Sequence, residues 1–342
     1  MVSVTSNNAR VSRQTWQFTE NVRIQSSSAV GGPKEAEGPL ASFFDKTYDD
    51  LYAGQETWEK AEKQLMEDAV RYTLQKANKI ESDVDLILAG DLLNQIITAS
   101  FTAEQLNIPL MGMFGACSTS MLTLANAAAL VNAGYAKYVV AACSSHNATA
   151  ERQFRYPTEY GGQKPPYAQW TVTGAGAALV GIGGNGPRIT HATMGKVVDM
   201  GIKDPFDMGA AMAPAAISTL TQHFRDLNRK PQDYDLIVTG DLATVGYAIV
   251  KEDMQTQGYD MDKVYNDCGL MIYSPEQEVF AGASGCASSA TVTYGYIMNQ
   301  LEQGKLGRVL VVATGALLSP VSYQQGNSIP CIAHAVVFEG GT

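Results

Sequence analysis

An internal repeat is the feature of this sequence that most restricts its fold. Three segments of the first half recur in the second half in the same order, at separations of 150, 169 and 170 positions. The matched pairs are 83–92 with 233–242, 115–120 with 284–289, and 134–142 with 304–312. The central pair places Cys117 and Cys286 at equivalent positions. Three matches in register indicate two copies of one architecture.

Short apolar runs alternate with amphipathic or Ala-rich segments in both copies. In the first copy, the runs at 86–89, 109–114 and 138–142 predict buried strands, and 118–131 predicts a buried helix. The second copy repeats this with strands at 236–239 and 309–313 and a helix over 283–301. Strand–helix alternation predicts an α/β fold with a parallel or mixed sheet covered by helices. We place the two halves at 1–185 and 186–342, and we expect the first to carry an irregular insertion at 146–172.

Composition excludes several classes of protein. Hydrophobic residues make up 45% of the chain and charged residues 17%, which is typical of a globular interior and not of a disordered chain. The formal net charge of −10 argues against nucleic-acid binding. Five cysteines without a Cys-x-x-Cys pair indicate neither a disulfide framework nor a zinc site, and favour a reducing compartment. We expect no signal peptide, because residues 1–18 contain no apolar core. We also expect no membrane span, because the longest apolar run, 138–143, is far shorter than the ~20 residues that a span requires.

Cys117 is the first candidate functional residue. It follows a predicted strand and precedes a predicted helix, and a thiol at a helix N-terminus has its pKa lowered by free N–H groups and by the helix dipole. The alternative is a buried, inert cysteine packed against Gly115 and Ser118, since free cysteines are often buried.

The duplicated half with a cysteine before its helix resembles the thiolase superfamily. That resemblance implies a layered α-β-α-β-α sandwich of two pseudo-symmetric halves. It also implies an acyl-accepting cysteine at Cys117 and a base cysteine at Cys331, in the run Cys-Ile-Ala-His-Ala-Val-Val-Phe. On this interpretation the chain is an acyltransferase, or condensing enzyme, that uses acyl-CoA or an acyl carrier. Cys117 would be its nucleophile, and His146, Cys331 or His334 its base.

Three departures from the thiolase pattern argue against condensation. Ser274 stands where the resemblance implies a histidine before proline, and Gly240, followed by Asp241, stands where it implies an asparagine. The glycine-rich turn after the base cysteine is replaced by residues 333–335, Ala-His-Ala. Loss of one oxyanion donor typically costs ~10²–10³ in rate, so the loss of several predicts a protein without this activity.

Three unusual segments resemble a thiolase-like sporulation family of spore-forming bacteria. They are 144–165, 313–320 and 329–334, and the likeness extends from about residue 15 to residue 339. This resemblance implies a non-enzymatic protein that binds dipicolinic acid (pyridine-2,6-dicarboxylate). It also implies membrane-associated partner subunits that move this acid into and out of the spore. The location that it implies is on the cytoplasmic side of the forespore or spore inner membrane, or peripheral to that membrane.

A flat dianion requires an aromatic wall and several hydrogen-bond donors. We therefore expect a ligand site between the two halves, built around the start of the helix at Cys117 and around the 146–172 insertion, where Tyr160 can stack on the ring. The candidate ligand-binding residues are Cys117, Ser118, His146, Asn147, Arg152, Arg155, Tyr160, Lys164, Ser274, Ser319, Cys331 and His334. We expect no cofactor and no protein metal site, and calcium only as an ion held by bound dipicolinate.

Several of these residues have simpler interpretations. Arg152 and Arg155 can pair with Glu151 and Glu159, and His334 can be a hydrogen-bonded core histidine. Asp91 and Asp241 both follow strand ends, and we interpret them as helix caps. By analogy with the thiolase fold, the strand at 108–114 predicts a homodimer.

Overall fold

The computed structural model describes residues 9–154 and 164–340. The strands are β1 Thr15–Gln17, β2 Val22–Gly31, β3 Lys46–Thr47, β4 Leu86–Gly90, β5 Leu110–Gly112, β6 Tyr138–Ser145, β7 Trp170–Thr171, β8 Gly174–Ile182, β9 Arg188–Thr193, β10 Leu236–Thr239, β11 Tyr265–Asp267, β12 Ala283–Ser284, β13 Arg308–Ala316 and β14 Cys331–Glu339. The helices are α1 Trp58–Lys76, α2 Ile97–Leu106, α3 Thr119–Asn132, α4 Asn147–Phe154, α5 Met208–Leu227, α6 Ala243–Thr256, α7 Cys268–Met271, α8 Cys286–Thr291, α9 Met298–Glu302 and α10 Pro320–Gln324.

Strand order confirms the duplication that the sequence predicts. The first half is ordered β2-β8-β6-β4-β5 and the second β9-β14-β13-β10-β11. In each half the last three strands are parallel and the first three are antiparallel. An antiparallel pairing of Arg23 in β2 with Arg188 in β9 joins the two halves.

Alternation along the strands divides the interior into three cores. In β6, Val140 and Ala142 pack under α1 and α2, whereas Val139 and Ala141 face the central helices α3 and α8. In β13, Val309 faces the central helices, whereas Leu310 and Val312 pack under α5 and α6. Because strand side chains alternate between faces, both sheets are covered on two sides. The result is the α-β-α-β-α layering expected from the resemblance.

The central layer contains the pseudo-twofold axis. Ser120 in α3 and Ser289 in α8 are 169 positions apart, as Cys117 and Cys286 are, and their hydroxyl oxygens lie 2.6 Å apart. Equivalent residues contact each other in this way only close to a twofold axis. The helix expected over 283–301 is instead a short strand, β12, followed by α8, a π-helical turn at Val292–Ile297, and α9.

The 146–172 insertion is more regular than expected. It begins with helix α4 and ends with strand β7, which pairs in parallel with β12. The polar composition of α4 concealed its helical period, and β7 is too short to show one. No helix in the described ranges is long and apolar enough to cross a membrane.

Candidate functional site

A tight turn between β5 and α3 positions Cys117. Ala116 has a positive φ of 49°, and the amides of Ser118 and Thr119 bond back to the carbonyls of Gly115 and Ala116. Gly315 at the end of β13 packs directly on this turn, where an added Cβ would lie 2.2 Å from the Gly115 carbonyl oxygen. The second half therefore contributes one wall of the site.

The Cys117 side chain opens into a small apolar cavity between the halves. Its volume is about 50 Å³, room for only a few water molecules. Polar groups are contributed only by Cys117, Thr171 and Ser284 among the residues that line it. The lining residues are Leu92, Phe114, Ala116, Cys117, Ala150, Phe154, Thr171, Met208, Met212, Ser284, Ala316 and Leu318. A second hollow of about 310 Å³ shares four of these walls and continues toward α10.

Asp241 is the buried acid next to Cys117. Its carboxylate accepts hydrogen bonds from the Thr314 hydroxyl at 2.7 Å, the Gly285 amide at 3.0 Å and the Ser284 hydroxyl at 3.2 Å. The Cys117 thiol lies beside this carboxylate and interacts with it. Burial raises the Asp241 pKa to about 6, although these donors act in the opposite direction. Our interpretation of Asp241 as a helix cap was therefore wrong.

Burial and the neighbouring Asp241 carboxylate raise the Cys117 pKa well above its ordinary value. We expected the opposite shift from its position at a helix start. Desolvation and the adjacent carboxylate both disfavour a thiolate, and they outweigh the helix terminus. The residue is therefore held as a neutral thiol.

The acid that caps α6 is Asp267. Its carboxylate accepts from the amides of Leu242 and Ala243, each at 2.9 Å, and from the Thr239 hydroxyl at 2.7 Å. Burial raises its pKa to about 7, and the charge of Asp241 adds to this effect. Sequence reasoning missed Asp267 because its partners come from a different strand–helix unit. Asp91 does cap α2, accepting from the amide of Ala99 at 2.8 Å.

Neither His146 nor His334 lines the cavity. The His146 Nε2 lies 2.8 Å from the Leu51 carbonyl oxygen, and its Nδ1 accepts from the Ala148 amide at 3.1 Å. His334 is a buried residue of β14 whose Nδ1 accepts from the Gly195 amide at 3.2 Å. Burial lowers both pKa values, that of His334 to about 4. Both rings therefore bond to backbone groups.

Cys331 lies on the opposite face of β14 from His334. It packs with Ala333 and Ala335 in the core under α5, and its thiol lies 3.5 Å from the Ile329 carbonyl oxygen. Burial raises its pKa to about 12. A thiol and an imidazole on opposite strand faces cannot act on one substrate atom.

The cationic residues predicted for the site form ion pairs. Arg152 pairs with Glu59 of α1, and Lys164 lies 2.7 Å from Glu151. The partner of Arg152 is therefore Glu59, and not Glu151 or Glu159 as the sequence suggested. Arg155 and Tyr160 fall outside the described residues.

Four further candidates have local contacts. The Ser118 hydroxyl donates to the Gly115 carbonyl at 2.6 Å. The backbone amide of Asn147 donates to the Thr173 hydroxyl at 3.0 Å. Ser274 precedes the 3₁₀ turn Pro275–Gln277, and Ser319 precedes α10 and lines the second hollow. Of the ten predicted ligand-binding residues that the structure describes, only Cys117 lines the cavity. Sequence analysis missed the aromatic and methionine side chains that line the cavity, because no local sequence pattern indicates that they face it.

Comparison with known proteins identifies the family. A model of the stage V sporulation protein AD (SpoVAD) family matches residues 12–339. The chain belongs to this family. Stage V sporulation protein AD of Bacillus subtilis (strain 168) is 60% identical over 327 residues, which covers 96% of this chain and 97% of the relative.

Solved structures show that this SpoVAD family member has the thiolase fold. A crystal structure of Xanthomonas campestris OleA is 16% identical, covers 94% of this chain and 99% of its own, and has a TM-score of 0.61. The 3-oxoacyl-[acyl-carrier-protein] synthase III of Aquifex aeolicus VF5 is 15% identical, covers 93% and 99%, and has a TM-score of 0.56. At these identities the likeness concerns the fold.

Proposed function

We propose that this chain is a non-catalytic thiolase-fold sporulation protein that binds dipicolinic acid. In this role it supports the movement of dipicolinate into and out of the bacterial spore, together with membrane-associated partner subunits. Membership of the SpoVAD family supports the sporulation role. The identity of the ligand is inferred from the family resemblance of segments 144–165, 313–320 and 329–334.

The position of Cys117 beside the buried Asp241 carboxylate is the observation that carries the non-catalytic part of the proposal. Thiol nucleophiles act as thiolates, which a neighbouring cation or base stabilises. Here the titratable group with the largest effect on the thiol is a carboxylate, which disfavours the thiolate. The two candidate imidazoles are bonded to backbone groups.

The proposal assigns the chain no cofactor of its own. Calcium would enter only as an ion that dipicolinate carries, because no group of three or more His, Cys, Asp or Glu side chains in the described ranges could hold a metal. Partner subunits would recruit the chain to the cytoplasmic side of the spore membrane.

A homodimer is part of the same proposal. β5 is an edge strand of the sheet, and its Leu110 and Met111 side chains are 37% and 43% exposed. Phe101 of α2 and Phe114 add exposed apolar surface near this edge. Unpaired edges with apolar side chains favour pairing with another chain.

Isothermal titration of the purified chain with dipicolinate, with and without equimolar calcium, tests the function. We expect saturable binding in at least one of the two conditions. Absence of heat at millimolar dipicolinate in both conditions would refute the proposal.

Incubation with acyl-CoA followed by intact-mass and peptide analysis tests the alternative, an acyltransferase. We expect no acyl adduct on Cys117 above the level of a Cys117→Ala control. A stoichiometric adduct on Cys117 would show that the thiol is an active nucleophile and would replace the non-catalytic proposal.

A further inference from the structure

A polar hollow lies at a second place where the two halves meet. Its volume is about 380 Å³, which is in the range of small-molecule sites. Strand β2, the segment at 42–45 and the end of α1 form its walls from the first half, and the π-helical turn and α9 form them from the second. Among the described residues, none lines both this hollow and the Cys117 cavity. We call it the β2–α9 hollow.

The π-helical turn at Val292–Ile297 shapes one wall of the hollow. Gly295 lets this turn approach the first half, because an added Cβ would lie 2.8 Å from the Phe43 carbonyl oxygen. The Ser27 hydroxyl donates to the Tyr294 carbonyl at 2.7 Å and joins β2 to the same turn. Single π-helical turns inside longer helices often occur at functional sites. Contacts from both halves therefore position this wall.

Two of the three charged side chains that line the hollow neutralise each other. The Lys76 ammonium lies 2.6 Å from the Asp45 carboxylate and also donates to the Ser27 carbonyl at 2.8 Å. The other Asp45 oxygen accepts from the Ala29 amide at 3.1 Å. Lys76 and Asp45 are thus a compensated pair that is bonded to the backbone of β2.

The third charged side chain, Glu302 of α9, lacks such a partner. Its carboxylate has no hydrogen bond or ion pair with any residue in 9–154 or 164–340. Partial burial raises the pKa of Glu302, although the charge of Lys76 acts in the opposite direction. Loss of water without a partner disfavours an ionised carboxylate, and a bound cation would remove this penalty. The hollow therefore carries one surplus negative charge.

A further acceptor and two aromatic rings also line the hollow. The Gln25 side chain donates its amide to the Gly183 carbonyl at 2.8 Å, and its Oε1 can accept a bond from a ligand. The rings are those of Phe43 and Phe44, and the Phe43 ring makes an edge contact with Tyr296 at a centroid distance of 5.0 Å. Aromatic faces attract ammonium groups. The hollow thus combines the charge, the acceptor and the apolar carbon that an organic ammonium ion requires.

We propose that the β2–α9 hollow binds a small aliphatic amine in its ammonium form, with the ammonium on Glu302 and the carbon chain against Phe43 and Phe44. An anion is disfavoured, because Lys76 already shares its charge with Asp45. A metal ion is disfavoured, because no group of three or more His, Cys, Asp or Glu side chains in the described part of the chain could hold one. The inference is independent of the proposed function.

Titration calorimetry with 1,4-diaminobutane at constant ionic strength tests the site. We expect saturable one-to-one binding to the wild type, whereas 1,4-butanediol, which has the same carbon chain without charge, should not bind. Glu302→Gln keeps the size of the side chain and removes its charge, so the dissociation constant should rise about tenfold or more. Glu252→Gln, at an exposed glutamate of α6, removes the same charge elsewhere and should leave the constant unchanged.

A second variant tests the location without changing the charge. Ser42 is exposed at the rim of the hollow, and Ser42→Trp should fill the hollow and weaken diaminobutane binding to a similar extent. Circular dichroism checks that each variant is folded. Absence of binding to the wild type, or binding by either variant as tight as that of the wild type, would overturn the proposal. So would an equal binding heat from potassium chloride, because the hollow would then attract any cation. Dipicolinate binding should be the same in all these variants, so its failure would concern only the proposed function.

Discussion

At the scale of single residues, Cys117 shows that position in a fold does not determine reactivity. The turn that presents it resembles a nucleophile turn, and the helix that follows should favour a thiolate. Burial and the neighbouring Asp241 carboxylate decide the outcome, since both favour the protonated thiol. A single acidic side chain, Asp241, is sufficient to change the chemistry of the site.

Alkylation of Cys117 measures this effect. At pH 7.5 we expect iodoacetamide to modify Cys117 more slowly than a free cysteine, because its raised pKa leaves little thiolate. Asp241→Asn removes the charge that opposes the thiolate and should raise the rate about tenfold or more, since one pKa unit changes the thiolate fraction tenfold. Peptide mass spectrometry over time gives the rate. Asp199→Asn, at an exposed acid, serves as the control.

An equal Cys117 rate in wild type and Asp241→Asn would contradict this account. It would mean that the carboxylate has no influence on the thiol, and that burial alone controls its reactivity.

At the scale of secondary-structure elements, one buried acid joins three of them. Glu62 of α1 accepts hydrogen bonds from Ser144 of β6 at 3.0 Å and from Thr149 of α4 at 2.8 Å. Burial raises its pKa to about 8, and the nearby Asp91 adds to the shift. The packing of α4, which also lines the cavity through Ala150 and Phe154, therefore depends on a titratable group.

Glu62→Gln should stabilise the protein increasingly as pH rises. The pKa of this acid is higher in the folded than in the unfolded chain, so its contribution to stability is complete below about pH 4.5 and is lost as pH rises through about 8. Glutamine keeps the size and an acceptor without ionising. We expect Tm at pH 8.5 to exceed that of wild type by roughly 2 °C or more, and the difference to vanish near pH 4.5.

Thermal melts followed by circular dichroism between pH 4.5 and 8.5 measure this difference. Glu56→Gln, a change at an exposed acid, should leave the pH profile as in wild type. A Glu62→Gln profile parallel to that of wild type would show that Glu62 does not ionise in this range.

At the scale of the whole molecule, the edge at β5 governs the proposed association of two chains. Met111→Glu places a charge in the apolar surface of this edge, and the buried core is unchanged because Met111 is exposed. Light scattering after size exclusion should show twice the 36.6 kDa chain mass for wild type and the single mass for Met111→Glu. Val321→Glu, at another exposed apolar residue, should remain dimeric. A monomeric wild type would disprove the dimer.

The repeat was sufficient to predict two copies of one strand–helix architecture and the turn that holds Cys117, because periodicity and spacing encode backbone structure, whereas the layering was expected from the family resemblance. It could not predict the partners of charged side chains. Arg152 pairs with Glu59, almost a hundred residues away, and Lys34 and Lys164 both lie over the ring of Trp170 in β7. Such contacts depend on how elements pack, and no local pattern records them.

The bond between Ser120 and Ser289 has a consequence for how such a chain folds and diverges. Helix α8 of the second half packs against β6 and β8 of the first, and helix α3 of the first half packs against β13 and β14 of the second. Neither half could therefore bury its apolar surface if it were produced alone. A substitution at a residue on the pseudo-twofold axis changes the contact surface of both copies at once. The two copies are thus free to diverge at their outer layers, while the residues along the axis must change together.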